Sequence, residues 1–354
     1  MKVLFILNHA PDYREPFLRE LGTYKYIELT VIAQPCEPDG LSAPEHRKAY
    51  NYIEINSIDF FGLLWQPGLR RILRESKWDV VCVSANLRHL SRLLLFITNP
   101  GYWNKWLWWG HIFGKNKSHV LHVFRKFITN SAAGCLVHGK SIAKELNDTY
   151  VTKAISFNNS EIKKNDFRLG RFNQHPELRL LFVGRCQRRK KLERLVDLAE
   201  RRNDVQVRLI GPGTEKLSVS AELLNQRRVQ FFGRTVGEDL HCHFDWADLV
   251  ANPGHVGLLA MNAAKHGKGI VIDSCSDHAP EFYLAKEADQ PFISFNDQHE
   301  VDQIIDRVKN NPSLLEKWGK DLQEKAMEEY TIEHMAKVHV KAFEAVSFGK
   351  KIYS

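Results

Sequence analysis

Short apolar runs of four to six residues alternate along this chain with segments whose apolar positions recur at helical spacing, the pattern of parallel α/β layers. In the first half, strands are expected at Val3 to Leu7, Glu28 to Ala33, Tyr52 to Ile55, Asp79 to Ser84, Trp106 to Trp109, Gly134 to His138 and Ala154 to Phe157. Helices fit between them, for instance Arg14 to Leu21, Leu69 to Glu75 and Ser118 to Ile128. A polar stretch from Asn158 to His175 has the composition of a linker. A second series of strands follows at Leu178 to Val183, Val205 to Ile210, Val229 to Phe232, Leu249 to Ala251, Gly269 to Ile272 and Phe292 to Ser294. Helical runs from Val301 to Lys309, Pro312 to Glu329 and Ile332 to Val346 close the chain. The expected fold class is therefore α/β, with two doubly wound domains in tandem.

The length of 354 residues allows two cores of ordinary size, and 44% hydrophobic with 26% charged residues describes a globular chain. Six cysteines without a CxxC pair point to neither zinc nor a disulfide framework, and fit a reducing, cytoplasmic setting. The apolar run Val3 to Leu7 is too short for the core of a signal peptide and reads as a buried strand. Leu93 to Phe113 is strongly apolar, but Asn99, Pro100, Gly101, Asn104 and Lys105 interrupt it, so no spanning helix is expected.

A net charge of +8 changes this picture by calling for an anionic partner: a nucleic acid, an anionic membrane or a phosphate-bearing ligand. No nucleic-acid-binding signature accompanies it, which removes the first of these. The charge is also unevenly placed. Between Val80 and Lys144 there is no Asp or Glu, while Arg88, Arg92, Lys105, Lys115, Lys117, Arg125 and Lys126 fall there with Trp103, Trp106, Trp108 and Trp109. Two readings stay open: a face for an anionic membrane, peripheral at the inner side of the cell membrane, or a simple covering of the first domain with Trp106 to Trp109 in its core.

Open parallel sheets bind ligands beyond the carboxyl ends of their strands, so the loops there carry the candidate chemistry. Four stand out in the second half. The stretch LLFVGRCQRRKKLERLVDL places Gly184 and Arg185 at a strand end and Lys190 at the expected start of a helix. VRLIGPGTE brings Gly211 and Gly213, VQFFGRTVGEDL brings Gly233, and NPGHVGLLAMNAAKHGKGIVID brings Gly254, His255 and Asn262. Glycines admit a phosphate close to the backbone, helix N-termini offer N–H groups, and Arg with Lys neutralises a diphosphate.

In this order and spacing, the four loops resemble the C-terminal domain of the retaining GT-B glycosyltransferases that build bacterial envelope polysaccharides. The resemblance rests on Val183-Gly184-Arg185, Lys190, Ile210-Gly211-Pro212-Gly213, Phe231-Phe232-Gly233, Ala247-Asp248 to Pro253, and Gly257-Leu258 through Gly267, and spans roughly Leu178 to Ile272. It implies a GT-B fold, two Rossmann-like domains facing each other across a cleft. The expected division is 1–160 for the acceptor domain, 161–176 for a linker, 177–330 for the nucleotide-sugar domain and 331–354 for a helix returning to the first domain.

The resemblance further implies a metal-independent sugar transfer without cofactor. The donor would be a nucleotide-diphosphate sugar, UDP- rather than GDP-linked, and the acceptor a lipid-linked or growing envelope glycan of lipopolysaccharide, capsule or exopolysaccharide. Arg185 and Lys190 match the family's phosphate clamp. His111, after the LWWG run, matches a histidine near the transferred sugar and is otherwise a structural residue of the strand end. Gly184, Gly211, Gly213, Gly233, the backbone of Val256, Gly257 and Leu258, and Glu281 in HAPEF fall on the donor side. Tyr13 and Arg14 replace the family's glycine-rich first loop and are candidates for the acceptor side, with a solvent-exposed first turn as the other reading of Arg14. The donor turn of the family carries two glutamates with seven residues between them; here Gly254 and Asn262 stand in those places, leaving His255 to read the sugar. That departure keeps a second reading in play, a catalytically silent GT-B protein that binds nucleotide or glycan.

Overall fold

Each apolar run read as a strand forms one in the computed structural model, which describes residues 1–36, 43–110, 112, 119–150, 153–172, 175–350 and 352. His111, Lys115 and Lys117 lie outside the described residues. Contacts divide the chain into one unit of residues 1–161 with 332–354 and another of 162–331.

The first unit contains β1 (Lys2–His9), α1 (Glu15–Gly22), β2 (Glu28–Gln34), β3 (Asn51–Glu54), β4 (Ile58–Phe60), β5 (Leu63–Trp65), α2 (Leu69–Glu75), β6 (Val80–Ser84), α3 (Leu90–Ile97), β7 (Trp106–Trp109), α4 (His119–Ser131), β8 (Gly134–Val137), α5 (Lys140–Tyr150) and β9 (Ala154–Ser156). Its main sheet has the order β3-β2-β1-β6-β7-β8-β9 and its pairings are parallel. Parallel strands are covered on both faces, which is why Val3 to Leu7 can be apolar throughout and entirely buried. The strand order reverses between β1 and β6, since β2 and β3 lie on one side and β6 to β9 on the other.

Trp106 and Trp108 are fully buried and Trp109 nearly so. Trp108 donates its indole N–H to the Ile128 carbonyl at 2.9 Å and Trp109 donates to His339 Nε2 at 2.9 Å. These rings are core, so they cannot be the aromatic component of a membrane face. The antiparallel hairpin β4–β5 was not anticipated, because its strands are three residues long and its turn, Phe61-Gly62, carries no Asn or Asp.

The second unit contains β10 (Leu178–Val183), α6 (Glu193–Arg201), β11 (Val205–Ile210), α7 (Ala221–Asn225), β12 (Val229–Phe232), α8 (Gly237–Trp246), β13 (Leu249–Asn252), α9 (Leu259–Lys265), β14 (Ile270–Asp273), α10 (Phe282–Glu287), β15 (Phe292–Ile293), α11 (Gln298–Asn310) and α12 (Ser313–Glu329). A last helix, α13 (Ile332–Ser347), packs on α1 of the first unit. The second sheet runs β12-β11-β10-β13-β14-β15, all parallel, so its order reverses between β10 and β13. A doubly wound sheet opens its ligand crevice at such a reversal.

The polar segment after Asn158 is folded onto this unit from Ile162 onward. Ile162 is buried in its core, and Gly170 lies so close to Gly267 that a Cβ on Gly170 would stand 2.3 Å from the Gly267 carbonyl oxygen. Among the described residues no helix is long and apolar enough to cross a membrane.

Candidate functional site

The carboxyl ends of β10 and β13 bring two of the four loops together. Beyond β10 the chain passes through Gly184, exposed Arg185 and a single 3-10 turn, Arg188–Lys190. Lys191 then takes a left-handed φ of +52°, and α6 begins only at Glu193. Lys190 therefore does not open the helix as its sequence position implied; the left-handed residue after it separates the basic turn from the helix. Glycine adopts such a conformation freely, whereas a lysine does so rarely.

The turn after β13 lies directly against this basic loop. His255 N–H donates to the Arg189 carbonyl at 2.8 Å, and Lys190 Nζ donates to the His255 carbonyl at 2.7 Å. A Cβ built on Gly254 would stand 2.4 Å from the Arg189 oxygen and 2.7 Å from the Lys190 carbonyl carbon. Glycine is present at 254 because backbone occupies the space where a side chain would begin. The Gly254 carbonyl is in turn held by the buried Asn252 Nδ2 at 2.6 Å.

Three cations, Arg185, Arg189 and Lys190, gather at this edge. Burial pushes the Lys190 ammonium down to about 8, the Arg189 and Arg185 charges act in the same direction, and Glu281 opposes them. Glu281 is buried at the N-terminus of α10, where its side chain makes no capping hydrogen bond. His255 and His278 are held below the ordinary histidine range, in both cases chiefly by burial. A site with this balance favours an anion rich in oxygen acceptors, because the nearby carboxylate does not offset the converging positive charge.

Other donor-side candidates divide by position. The Val256 N–H is taken by His278 Nδ1 at 3.1 Å, so this amide is not available to a ligand; Gly257 and Leu258 lead into α9. Asn262 lies one turn into α9, where its Nδ2 donates to the Leu258 carbonyl at 3.2 Å and its carbonyl meets His266 Nδ1 at 2.7 Å. Gly211 has φ +131°, and its Cβ would fall 2.2 Å from the Gly184 oxygen, so the glycine serves the contact between the β10 and β11 loops. Gly213 has φ +84° and starts the next short turn. Gly233 follows the edge strand β12, two strands away from β10.

Sequence reasoning missed the carboxylate that organises this edge. Asp273, fully buried at the end of β14, accepts from Ser276 Oγ at 2.5 Å and the Phe295 N–H at 3.1 Å, and pairs with Arg194 at 3.3 Å and Lys191 at 3.4 Å. Burial alone would raise its pKa, but these hydrogen bonds and cations hold it below the ordinary value. Arg194 also donates to the Pro253 carbonyl at 2.8 Å, which ties α6 to the turn after β13. The available signal was one charged residue ending an otherwise apolar strand, IVID.

In the first unit, Arg14 sits at the N-terminus of α1 beside the end of β7. Its guanidinium lies 4.9 Å from the Trp109 ring centroid and 5.5 Å from that of Tyr13, and Nη1 donates to Asn159 Oδ1 at 3.0 Å. It is half-buried, whereas Tyr13 is exposed.

Residues 164–325 match the family model for glycosyl transferases group 1. The second unit, which this match spans almost entirely, belongs to the group 1 glycosyl transferases. Solved structures agree on the fold. A glycosyltransferase from Rickettsia africae is similar with a TM-score of 0.71 at 12% identity, over 98% of each chain. Sucrose-phosphate synthase from Thermosynechococcus elongatus is similar at 0.66 and 15% identity, over 98% of this chain and 99% of that one. The Anabaena protein HepE in complex with UDP-glucose is similar at 0.61 and 13% identity, over 98% of this chain and 100% of that one. A comparison with curated proteins finds no match. The two parallel α/β sheets are those of the GT-B fold, and the group 1 match is to nucleotide-sugar glycosyltransferases.

Proposed function

We propose that the protein transfers a sugar from a UDP-sugar, in preference to a GDP-sugar, to a lipid-linked or growing envelope glycan, retaining the anomeric configuration and using fixed cations in place of a metal. The observation that carries this reading is the group of Arg185, Arg189 and Lys190 at the reversal point of the second sheet, with the Lys190 ammonium lowered to about 8. As the glycosidic bond breaks, negative charge grows on the departing diphosphate, and cations already fixed there stabilise that charge more than the ground state. The UDP-glucose complex of HepE supports the choice of donor. The acceptor rests on the sequence resemblance alone, since a sucrose-phosphate synthase shares the fold.

The sugar would be read without the family's first glutamate. His255, with Nδ1 2.7 Å from the Asp277 carbonyl, presents a ring whose orientation is fixed by that bond. The silent, ligand-binding reading is favoured by one observation, the backbone filling the space at Gly254. A transfer assay with UDP- and GDP-sugars separates the two. The enzyme reading requires turnover that Arg185→Ala lowers by about 100-fold or more at unchanged melting temperature; nucleotide binding without turnover from any donor would leave only the silent reading.

A further inference from the structure

The hairpin β4–β5 of the first unit presents an apolar face that no described residue covers. Its register sets Ile58 opposite Trp65 and Phe60 opposite Leu63, so these four side chains share one face. All four are exposed, and Phe61 at the tip is exposed completely. The two-residue turn has φ +52° at Phe61 and +82° at Gly62. That geometry ordinarily takes Asn-Gly, and a bulky aromatic residue is disfavoured in it. A strained and fully exposed Phe is a poor choice for a turn that only has to reverse the chain.

The back of the hairpin is the anchored side. Leu64 N–H donates to the Arg88 carbonyl at 2.6 Å, Arg88 Nε donates to the Gly62 carbonyl at 2.7 Å, and Asp59 accepts from the Gly62 N–H at 2.7 Å. Next to it, α3 leaves Leu90, Leu94 and Ile97 exposed at the spacing of one helix face. Exposed Arg70, Arg71, Arg74 and Lys77 follow the hairpin in sequence. Of the acids in this region, Asp59 faces Arg88, Glu75 pairs with Arg71, and Asp79 accepts from the Lys2 N–H.

We propose that this hairpin docks the protein on an anionic lipid bilayer, with Phe61 and the Ile58/Phe60/Leu63/Trp65 face in the interfacial zone and the exposed cations that follow it in sequence among the headgroups. A fully exposed aromatic tip seeks depth in an apolar layer, and the cations that follow it in the chain match negative headgroups. The inference uses no residue of the donor site and stands apart from the sugar-transfer reading, although a lipid-linked acceptor would be met at such a surface.

The test is co-sedimentation of the full chain with phosphatidylcholine vesicles made with and without phosphatidylglycerol. The wild type is expected to bind the anionic vesicles and to release in salt. Phe61→Asn, which suits the turn, should weaken binding about tenfold, as loss of one buried aromatic side chain implies, with an equal or higher melting temperature. Phe60→Thr combined with Leu63→Thr must weaken it as well, without touching the turn. Absence of wild-type binding, binding unchanged in these variants, or a wild-type dimer in solution that Phe61→Asn dissociates would each overturn the proposal, the last by showing that a second copy covers the face.

Discussion

Nucleotide binding should weaken with rising pH through the titration of Lys190. With the ammonium at about 8 in the free protein, the protonated fraction falls from about nine-tenths at pH 7 to about one-tenth at pH 9. Only the protonated form adds a charge to a diphosphate, and the bound anion in turn raises the pKa of the ammonium. The apparent Kd for UDP should therefore be about tenfold larger at pH 9 than at pH 7. Other groups around the site do not imitate this slope. His255 and His278 are lowered and so stay neutral across the range, and the last phosphate ionisation, near pH 6, is already about nine-tenths complete at pH 7 and acts in the opposite sense.

The same shift makes a stability prediction of opposite sense. A lysine whose folded pKa lies below its unfolded value leaves the unfolded chain holding more protons between about 8 and 10.5, so stability rises with pH across that window. The drop corresponds to at most roughly 3 kcal/mol at neutral pH. Lys190→Met should therefore raise the melting temperature of the free protein while losing UDP affinity. Lys190→Arg should bind UDP with a flat profile. Calorimetric titration at pH 7, 8 and 9 measures both, and a flat wild-type profile, or an equal slope in Lys190→Arg, would refute the assignment.

Three further outcomes follow from the loop contacts. Gly254→Glu, which restores the family residue, should cost about 2 kcal/mol or more and lower the melting temperature, because its Cβ meets the Arg189 carbonyl at 2.4 Å; an unchanged melt would mean that the basic loop yields freely. Gly211→Ala combines φ +131° with a 2.2 Å approach to the Gly184 oxygen and should destabilise by about 3 kcal/mol, read by denaturant unfolding. Asp273→Asn leaves Lys191 and Arg194 without their shared buried carboxylate and should cost about 3 kcal/mol, with weaker UDP binding as the turn at Pro253 loosens; wild-type stability and affinity in this variant would dismiss Asp273 as an organiser of the edge.

The sheets were legible because parallel strands covered on both faces must be apolar throughout, and runs such as Val3 to Leu7 and Leu178 to Val183 cannot be mistaken for surface. The meeting of the Lys190 loop with the Gly254 turn was legible only through the resemblance, since the two are far apart in the chain. What the residues could not reveal was conformation without a compositional signal. Lys191 is left-handed although it is not glycine, and Phe61 occupies a turn position that usually takes Asn. The acid-free block misled in part because charge and aromatic content are averages over a segment: the strand inside it sends Trp106 and Trp108 into the core, while the exposed apolar side chains lie partly upstream, in the hairpin.

The absence of a glutamate at 254 and the position of the basic loop form a single structural fact. With no side chain there, the backbone at Arg189 and Lys190 can rest on the turn after β13, where the Arg189 carbonyl accepts from the His255 N–H and Lys190 Nζ donates to the His255 carbonyl. A glutamate would force that contact open and release Lys190 Nζ from the carbonyl it now holds. On the proposed function, the same substitution would therefore change both the reading of the sugar and the placement of the cation that meets the diphosphate. Lys190 is already costly to keep charged where it is, so its hydrogen bond to the His255 carbonyl is what fixes the cation before a donor arrives. Any activity in this chain must then depend on His255 through its backbone as much as through its ring. His255→Ala, which keeps the backbone, should change the preference among UDP-sugars while leaving UDP affinity within about threefold of wild type; equal loss for UDP and for every UDP-sugar would show that the ring supports the phosphate side and does not read the sugar.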